Sequence, residues 1–349
     1  MKEIFITGFP GFIAKHLVLE LAKNPSYRIT LLVHKSMYDK AQTVFTQLSW
    51  HNKHQLLIGD ITQENLGLDT TRAREIREQT NIVFHLAAIY DLTVKETVAK
   101  HVNVFGTKNT LDFFSISPVL EHFNYVYTCY VSGTRGGLIF AHELEKGQNF
   151  FNFYESTKHE AERIVQEYKT RLPITTFRPS IVVGHSQTGE TEKFDGPYIV
   201  LKFLHRIRWL LRLVPNLGFK HCEVNTIPVD YLISVLVDLG FNTAARGKTY
   251  QVCDPHPPTT EEFFGEMVKM IGGVTPYKCS FLRSLILKLL RVPGVSKITG
   301  ITCQTLDYFS HPGCYREGEL KKDLAHKQIK SPDYQTYYPI LYRYMKGKL

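Results

Sequence analysis

Close to its N-terminus the chain turns sharply on two glycines. The apolar run Ile4-Phe5-Ile6 leads into Thr7-Gly8-Phe9-Pro10-Gly11-Phe12-Ile13-Ala14, and a helical pattern follows. The spacing is Gly-x-x-Gly-x-x-(Gly/Ala). Glycine here permits a tight strand-to-helix turn and lets a bulky anion approach the main chain. The helix that follows supplies free N–H groups and a partial positive charge. Ala14, at the third small position, allows close helix–sheet packing. The same spacing also serves a plain strand–helix turn, so its weight comes from standing after a first strand and before a helix.

The rest of the N-terminal half repeats that alternation. Arg28–Val33, Leu56–Ile58, Ile82–Leu86, Phe123–Tyr127 and Ile174–Phe177 read as strands, each almost wholly apolar. Helical periods over Gly11–Lys23, Val98–Phe113 and Ser156–Thr170 separate them. Continuous apolar strands between helices predict a parallel sheet covered on both faces. The expected architecture is α/β: a doubly wound, Rossmann-type parallel sheet with a smaller C-terminal substrate lobe. Its ligand should lie at the carboxyl ends of the strands. Pro197–Leu213 reads as one basic, apolar helix. Thr226–Leu239 and Thr249–Val252 read as a return to the main sheet. The expected division is residues 1–184 with about 226–255 for the dinucleotide domain, and about 185–225 with 256–349 for the lobe.

Composition narrows the class. With 349 residues, 43 % of them hydrophobic and 21 % charged, the chain can bury a large core and is not of a disordered or fibrous type. Its six cysteines (129, 222, 253, 279, 303, 314) form no Cys-x-x-Cys pair, which argues against a disulfide framework or zinc ribbon and for reduced thiols. No metal site is expected. An early strand in place of a leader and no run of about 20 apolar residues predict a cytoplasmic protein. The net charge of +9 is lopsided: residues 1–200 carry 21 Lys+Arg and 21 Asp+Glu, residues 201–349 carry 21 and 12. Whatever the basic surface attracts should meet the C-terminal part. A pI of about 9.1 is the only hint of nucleic-acid binding, and no recognition module accompanies it.

Candidate ligand contacts follow the strand ends. After Val33 comes His34-Lys35, with no acidic residue until Asp39. An NAD site would place a carboxylate here for the ribose 2′-hydroxyl, whereas two potentially cationic groups suit a 2′-phosphate. NADP is therefore expected over NAD, with a solvated loop lysine as the ordinary alternative. In Gly59-Asp60-Ile61 the carboxylate is placed to accept from an adenine amino group, or to cap a turn. In His85-Leu86-Ala87-Ala88 the alanines leave room for a ribose, and His85 is read as a satisfied core histidine.

Tyr154-Glu155-Ser156-Thr157-Lys158 sets a phenol and an ammonium at i and i+4, on one face of a helix. A fixed ammonium is expected to lower the phenol's ordinary value near 10 and fit it to donate a proton to a carbonyl receiving hydride. Lys158 is also placed to hold ribose hydroxyls. Thr128, at a strand end, offers a hydroxyl to the same carbonyl oxygen. Cys129 and Ser132 lie nearby without the His and Asp partners of a nucleophilic triad.

Taken together, Thr7-Gly8-x-x-Gly11-Phe12-Ile13-Ala14, Gly59-Asp60, His85-Leu86-Ala87-Ala88, Asn103-x-x-Gly106-Thr107, Thr128 and Tyr154-x3-Lys158 resemble the extended short-chain dehydrogenase/reductase family. That resemblance implies a seven-stranded parallel sheet, a nicotinamide cofactor and a Thr–Tyr–Lys catalytic set, with Asn103 near the active site or bracing the main chain. The run from Phe177-Arg178-Pro179-Ser180-Ile181 to Gly189 looks like thioester reductases and fatty acyl reductases. So do Asp195-Gly196-Pro197, Asn225-Thr226-Ile227-Pro228-Val229-Asp230-Tyr231 and Leu306-Asp307-Tyr308-Phe309-Ser310-His311-Pro312. His34 stands where many of that branch carry Arg. The implied cofactor contacts are Gly8, Pro10, Gly11, Phe12, Ile13, His34, Lys35, Asp60, Ile61, Ala87, Ala88, Tyr154, Lys158, Pro179 and Ile181. The implied reaction is hydride transfer from NADPH to an acyl thioester, on CoA or a carrier protein, giving an aldehyde.

Pro197–Leu213 and Phe281–Val292 set Lys and Arg among large apolar residues. They suit an acyl pocket with a basic rim for CoA phosphates or an acidic carrier, a peripheral contact with an anionic membrane, or simply two amphipathic helices over a core. The same first half would serve a dehydrogenase/isomerase or epimerase of a sterol-like, flavonoid-like or nucleotide-sugar substrate. A non-enzymatic NADP sensor is the alternative of another class. The sequence leaves the oligomeric state open.

Overall fold

A computed structural model describes residues 1–47, 54–292, 294–295 and 299–349, with the side chains of Gln47, Cys303 and Gln304 outside the description. In chain order the strands are β1 (Lys2–Thr7), β2 (Tyr27–Val33), β3 (Gln55–Ile58), β4 (Ile82–His85), β5 (His122–Val126), β6 (Gly137–Ile139), β7 (Ile174–Pro179), β8 (Ile181–Val183), β9 (Thr226–Pro228), β10 (Thr249–Val252) and β11 (Gly313–Tyr315). Seven form one sheet in the order β10-β7-β5-β4-β1-β2-β3. Every pairing within it is parallel. The strand order reverses between β1 and β4, which opens the crevice where such sheets bind ligands. The doubly wound fold is as expected.

The apolar strands explain themselves face by face. In β1, Ile4 and Ile6 join one buried cluster and Phe5 another. In β4, Ile82 and Phe84 fall on the first side and Val83 on the second. Successive side chains point to opposite faces, so a strand covered on both sides must be apolar throughout. Helices Phe12–Leu21 and Val229–Leu239 cover the first face through Leu17, Val18, Leu232 and Leu236. Helices Thr70–Gln79, Gly106–Ser115 and Phe153–Tyr168 cover the second through Ile76, Leu111, Phe114 and Val165. A third cluster joins helices Pro197–Arg206, Thr260–Gly272 and Tyr334–Lys346 through Leu201, Leu204, Phe263, Phe264 and Leu341.

Three sequence expectations change. Only Thr249–Val252 returns to the main sheet; Thr226–Pro228 pairs instead with Ile181–Val183 in a separate two-stranded sheet. The basic apolar helix breaks at Ile207 into an α-helix and a 3-10 turn, Arg208–Leu213. The helix expected from Ser156 starts earlier, at Phe153, because Asn152 caps it by accepting the Glu155 amide at 3.0 Å.

Candidate active site

The glycine turn is held from both sides. Gly8 has φ +93°, and a Cβ there would lie 2.8 Å from the Ala87 amide nitrogen and the Leu86 carbonyl carbon. Any side chain would therefore part β1 from the end of β4. The Gly11 amide donates to Gly8 O at 2.8 Å, and Gly11 begins helix Phe12–Leu21 with no side chain capping it. The first helical amides, at Phe12 and Ile13, are left without a side-chain acceptor, an N-terminus suited to an anion. Behind the turn, Thr7 Oγ1 accepts the amides of Leu86 (3.2 Å) and Ala87 (3.1 Å). Its proton therefore goes to His85 Nδ1, 2.8 Å away, which leaves His85 Nε2 to donate to Thr107 Oγ1 at 3.3 Å. Burial lowers the His85 pKa to about 3, and Lys158 adds to the shift. His85 is the satisfied core histidine, neutral and bracing.

His34 and Asp60 meet at the ends of β2 and β3. His34 Nδ1 accepts the Ser36 amide at 3.2 Å and so caps the short turn Lys35–Met37. Its Nε2 lies 3.8 Å from an Asp60 oxygen. The other Asp60 oxygen accepts from the amide and hydroxyl of Thr62 at 2.9 and 2.8 Å, so Asp60 does cap a turn. Lys35 is exposed. Ile61 packs against Gly106, where a Cβ would fall 2.6 Å from Ile61 Cδ1. Pro179 ends β7 and Ile181 begins β8, one residue apart at the sheet's carboxyl edge.

Thr128 follows β5. Its Oγ1 accepts the Tyr130 amide at 3.2 Å, and its hydroxyl acts to lower the Tyr154 pKa. Tyr154 and Lys158 lie in the first turns of helix Phe153–Tyr168, both buried. Lys158 Nζ sits 4.1 Å over the Tyr127 ring and 5.8 Å from the Tyr154 ring centre. The expected lowering of the Tyr154 pKa is not what this environment produces. Burial raises it, helped by Tyr90 and Cys129, while Thr128 opposes. Tyr154 is thus a protonated phenol at neutral pH. Burial has the converse effect on Lys158, bringing its pKa down to about 7 against the pull of Glu162. Cys129 is buried and its thiol pushed up by desolvation, which suits a core thiol rather than a nucleophile. Asn103 braces: it accepts the Ile89 amide at 3.0 Å and donates to Thr157 Oγ1 at 3.1 Å from a π-helical turn, Lys100–Phe105.

Several residues that hold the site escaped the sequence reading. Glu155, inside the Tyr-x3-Lys motif, is fully buried. It accepts the Phe151 amide at 3.0 Å and the Tyr308 phenol, which itself accepts from Asn152 Nδ2 at 3.1 Å. Burial raises the Glu155 pKa to about 7. Around it, His311 Nε2 donates to Gly133 O at 2.9 Å and Ser132 pairs with the Tyr315 hydroxyl at 2.7 Å. Strand β11 pairs with β6 beside them. A C-terminal clasp, residues 308–315, thereby grips the turn after Thr128 and the start of helix Phe153–Tyr168. The Leu306–Pro312 segment was noticed only for its likeness to the reductase branch. Farther along the helix, Glu162 forks onto the buried Arg178 at 2.6–3.0 Å, and Arg178 also donates to Glu143 O at 3.0 Å. Tyr90 meets Tyr154 edge to face, ring centres 5.3 Å apart.

An apolar crevice of about 20 Å³ lies in the third cluster, among Val200, Phe203, Phe264, Leu287, Leu306 and Phe309. A larger hollow of about 530 Å³, lined by His142–Lys146, Arg163, Gln166 and Glu167, contains none of the site residues.

Residues 6–236 match the model of an NAD-binding family described as Male sterility protein. Fatty acyl-CoA reductase wat of Drosophila melanogaster is 26 % identical over 288 residues, covering 70 % of this chain and 54 % of its own length. Nonribosomal peptide synthetase asaC of Aspergillus flavus is 23 % identical over 296 residues, covering 77 % of this chain. The chain thus spans about half of the first relative and 28 % of the second. Among solved structures, a terminal R domain from the myxalamid PKS-NRPS pathway superposes with a TM-score of 0.82 at 23 % identity, covering 100 % of this chain and 91 % of that one. A UDP-glucuronic acid 4-epimerase from Bacillus cereus, bound to NAD, superposes at 0.67 with 17 % identity and 99 % coverage of both. With a sheet, turn and Tyr–Lys helix of this kind, the chain belongs to the Male sterility protein family of extended short-chain dehydrogenase/reductase-type oxidoreductases.

Proposed function

We propose that the chain reduces an acyl thioester, on CoA or a carrier protein, to an aldehyde, with NADPH as hydride donor. The observation that carries this is the buried Thr128–Tyr154 pair with Lys158 beside it, at the carboxyl end of β5 across the switch point from the glycine turn. The names of the reductase relatives support the substrate class.

The residues present fit a dinucleotide. The uncapped helix start at Gly11–Ile13 suits its pyrophosphate, Gly8 and Pro10 shape the turn, and Asp60–Ile61 and Ala87–Ala88 suit its adenosine side. Pro179 and Ile181 suit the nicotinamide side. His34 and the exposed Lys35 suit a 2′-phosphate, so NADP is preferred over NAD. When bound, the cofactor supplies the hydride. Thr128 and Tyr154 hold the acyl oxygen and, as donors, steady the charge that grows on it. Tyr154, kept protonated by burial, gives its proton to that oxygen. Lys158 orients the phenol and the ribose and helps to reload the proton. Loss of the thiol then leaves the aldehyde. Residues 1–184 with about 226–255 form the dinucleotide part, and about 185–225 with 256–349 the acyl part. The crevice beside Phe309 is the start of the acyl path; at about 20 Å³ it holds no chain until its walls part.

The assay is loss of reduced-nicotinamide absorbance with NADPH and NADH against acyl-CoAs of graded length, ketones and nucleotide sugars. Thioester-dependent oxidation that favours NADPH is expected. Turnover of ketones or nucleotide sugars alone would replace this reading by the second one, a dehydrogenase or epimerase, which the epimerase-like fold favours. Tight NADPH binding without turnover on any of them would favour the sensor.

A further inference from the structure

The C-terminal region carries an apolar, cationic face that the active site does not use. Trp209 and Phe281 are 75 % exposed and Leu213 70 %, with Met1 the most exposed large apolar side chains among the described residues. Helix Ser280–Leu290 exposes Phe281, Leu285 and Leu289, four residues apart and so on one stripe. Its opposite side sends Leu287 and Leu290 into the apolar crevice. Packing explains the inner face of this helix and leaves the outer one unaccounted for.

The two exposed sets adjoin. The Tyr277 hydroxyl donates to Leu213 O at 3.1 Å, the Asn216 amide to Tyr277 O at 2.8 Å, and Arg283 to Gly218 O at 3.1 Å. These bonds seat the start of helix Ser280–Leu290 against the segment bearing Trp209 and Leu213. The charge is one-sided as well. Residues 196–222 and 267–306 contain no Asp or Glu and eleven Lys or Arg, of which Lys278 and Arg291 pair with Glu261 and Asp307 from outside these stretches. Arg208, Arg212, Lys220 and Lys288 are exposed there. A protein interface sets charge against charge at matched points. Like charges spread through two acid-free stretches, around exposed Trp, Phe and Leu, match a continuous anionic surface with an apolar layer beneath it.

We propose that this face docks on an anionic lipid bilayer, with Trp209, Leu213, Phe281 and Leu285 entering the headgroup–acyl boundary and the surrounding Arg and Lys meeting lipid phosphates. Its use rests on the acyl-reductase reading: the helix that touches the lipid also walls the crevice, so a long acyl chain passes from bilayer to site without crossing water. The docking itself stands or falls separately.

The test is co-sedimentation of the full chain with phosphatidylcholine vesicles, with or without about one third phosphatidylserine, at low and high salt. Wild type should bind the anionic vesicles at least about tenfold more tightly than the neutral ones, and less in high salt. Trp209→Glu/Phe281→Glu and Arg208→Glu/Arg212→Glu, shown by thermal melts to be folded, should each lose about tenfold or more. Equal or absent binding to both vesicles would overturn the proposal. So would a wild-type dimer that Trp209→Glu/Phe281→Glu makes monomeric, because a second copy would then cover the face. Capture of an acidic carrier protein through Arg208 and Arg212, with vesicles ignored, would overturn it in favour of that partner. Vesicle binding as expected, with no thioester reduction, would keep the surface and discard the substrate class.

Discussion

At the glycine turn the groups that shape the crevice are close in sequence or sit on adjacent strands. Gly11 bonds Gly8, His34 caps its own turn, and Thr7 reaches His85 across the β1–β4 pairing. At helix Phe153–Tyr168, which bears Tyr154 and Lys158, the partners come from the far end of the chain. Tyr308 is 153 residues from Glu155, His311 is 178 from Gly133, and Tyr315 is 183 from Ser132. The groups that shape the glycine turn therefore all come from the first half of the sequence. The Tyr154–Lys158 end is held in place by the region that also forms the apolar crevice, since Leu306 and Phe309 line the crevice while Tyr308 holds Glu155. Movement of that region should reach Tyr154 through helix Phe153–Tyr168 and leave the glycine turn undisturbed.

The largest separation of the two ends should come from Tyr154→Phe. Turnover should fall by about 10²–10⁴, while the NADPH dissociation constant, from fluorescence titration, stays within about twofold. An unchanged rate would remove Tyr154 from the chemistry.

Glu162→Gln leaves Arg178 buried without its counter-charge and should cost about 3–5 kcal/mol in urea unfolding. Both side chains are at most 2 % exposed, so water cannot take over. A cost below about 1 kcal/mol would mean that the pair is not the brace between the catalytic helix and β7.

Tyr308→Phe tests the clasp itself. Loss of a donor to a buried carboxylate should cost about 1–3 kcal/mol of stability. It should lower kcat with little change in NADPH affinity, marking Tyr308 as a positioning residue. Equal losses in kcat and cofactor affinity would show the two ends to be one unit.

A further test is a pH signature of the Tyr154–Lys158 end. Between about 4.5 and 7 the folded chain keeps a proton on Glu155 that the unfolded chain has lost, so this group's contribution to stability falls as pH rises. Between about 7 and 10.5 folded Lys158 has lost a proton that the unfolded chain keeps, so its contribution rises with pH. Relative to wild type, Glu155→Gln should flatten the acid side of this trough in Tm, and Lys158→Met the basic side. Superimposable curves for all three proteins would contradict the burial of both groups.

How far the sequence was legible follows the same division. Strand alternation, the glycine turn, Thr128 and the Tyr154–Lys158 spacing are local patterns, and periodicity reveals them. The separate pairing of Ile181–Val183 with Thr226–Pro228 was hidden because a short apolar strand carries no mark of its partner. Glu155 looked like a spacer between Tyr154 and Lys158; only a partner 153 residues away shows it to be a buried anchor. The direction of the Tyr154 shift was missed for a related reason. Spacing shows that Lys158 is near but not how dry the site is, and desolvation leads the upward shift.

The most direct test of the central claim is isotope transfer. NADPH with both hydrogens at nicotinamide C4 replaced by deuterium would be incubated with a long-chain acyl-CoA, and the released aldehyde trapped and weighed by mass spectrometry. The account predicts deuterium on the aldehyde carbon, with one CoA thiol freed for each NADPH consumed. NADPH consumption without thiol release, or a product with no label on the former acyl carbon, would contradict it.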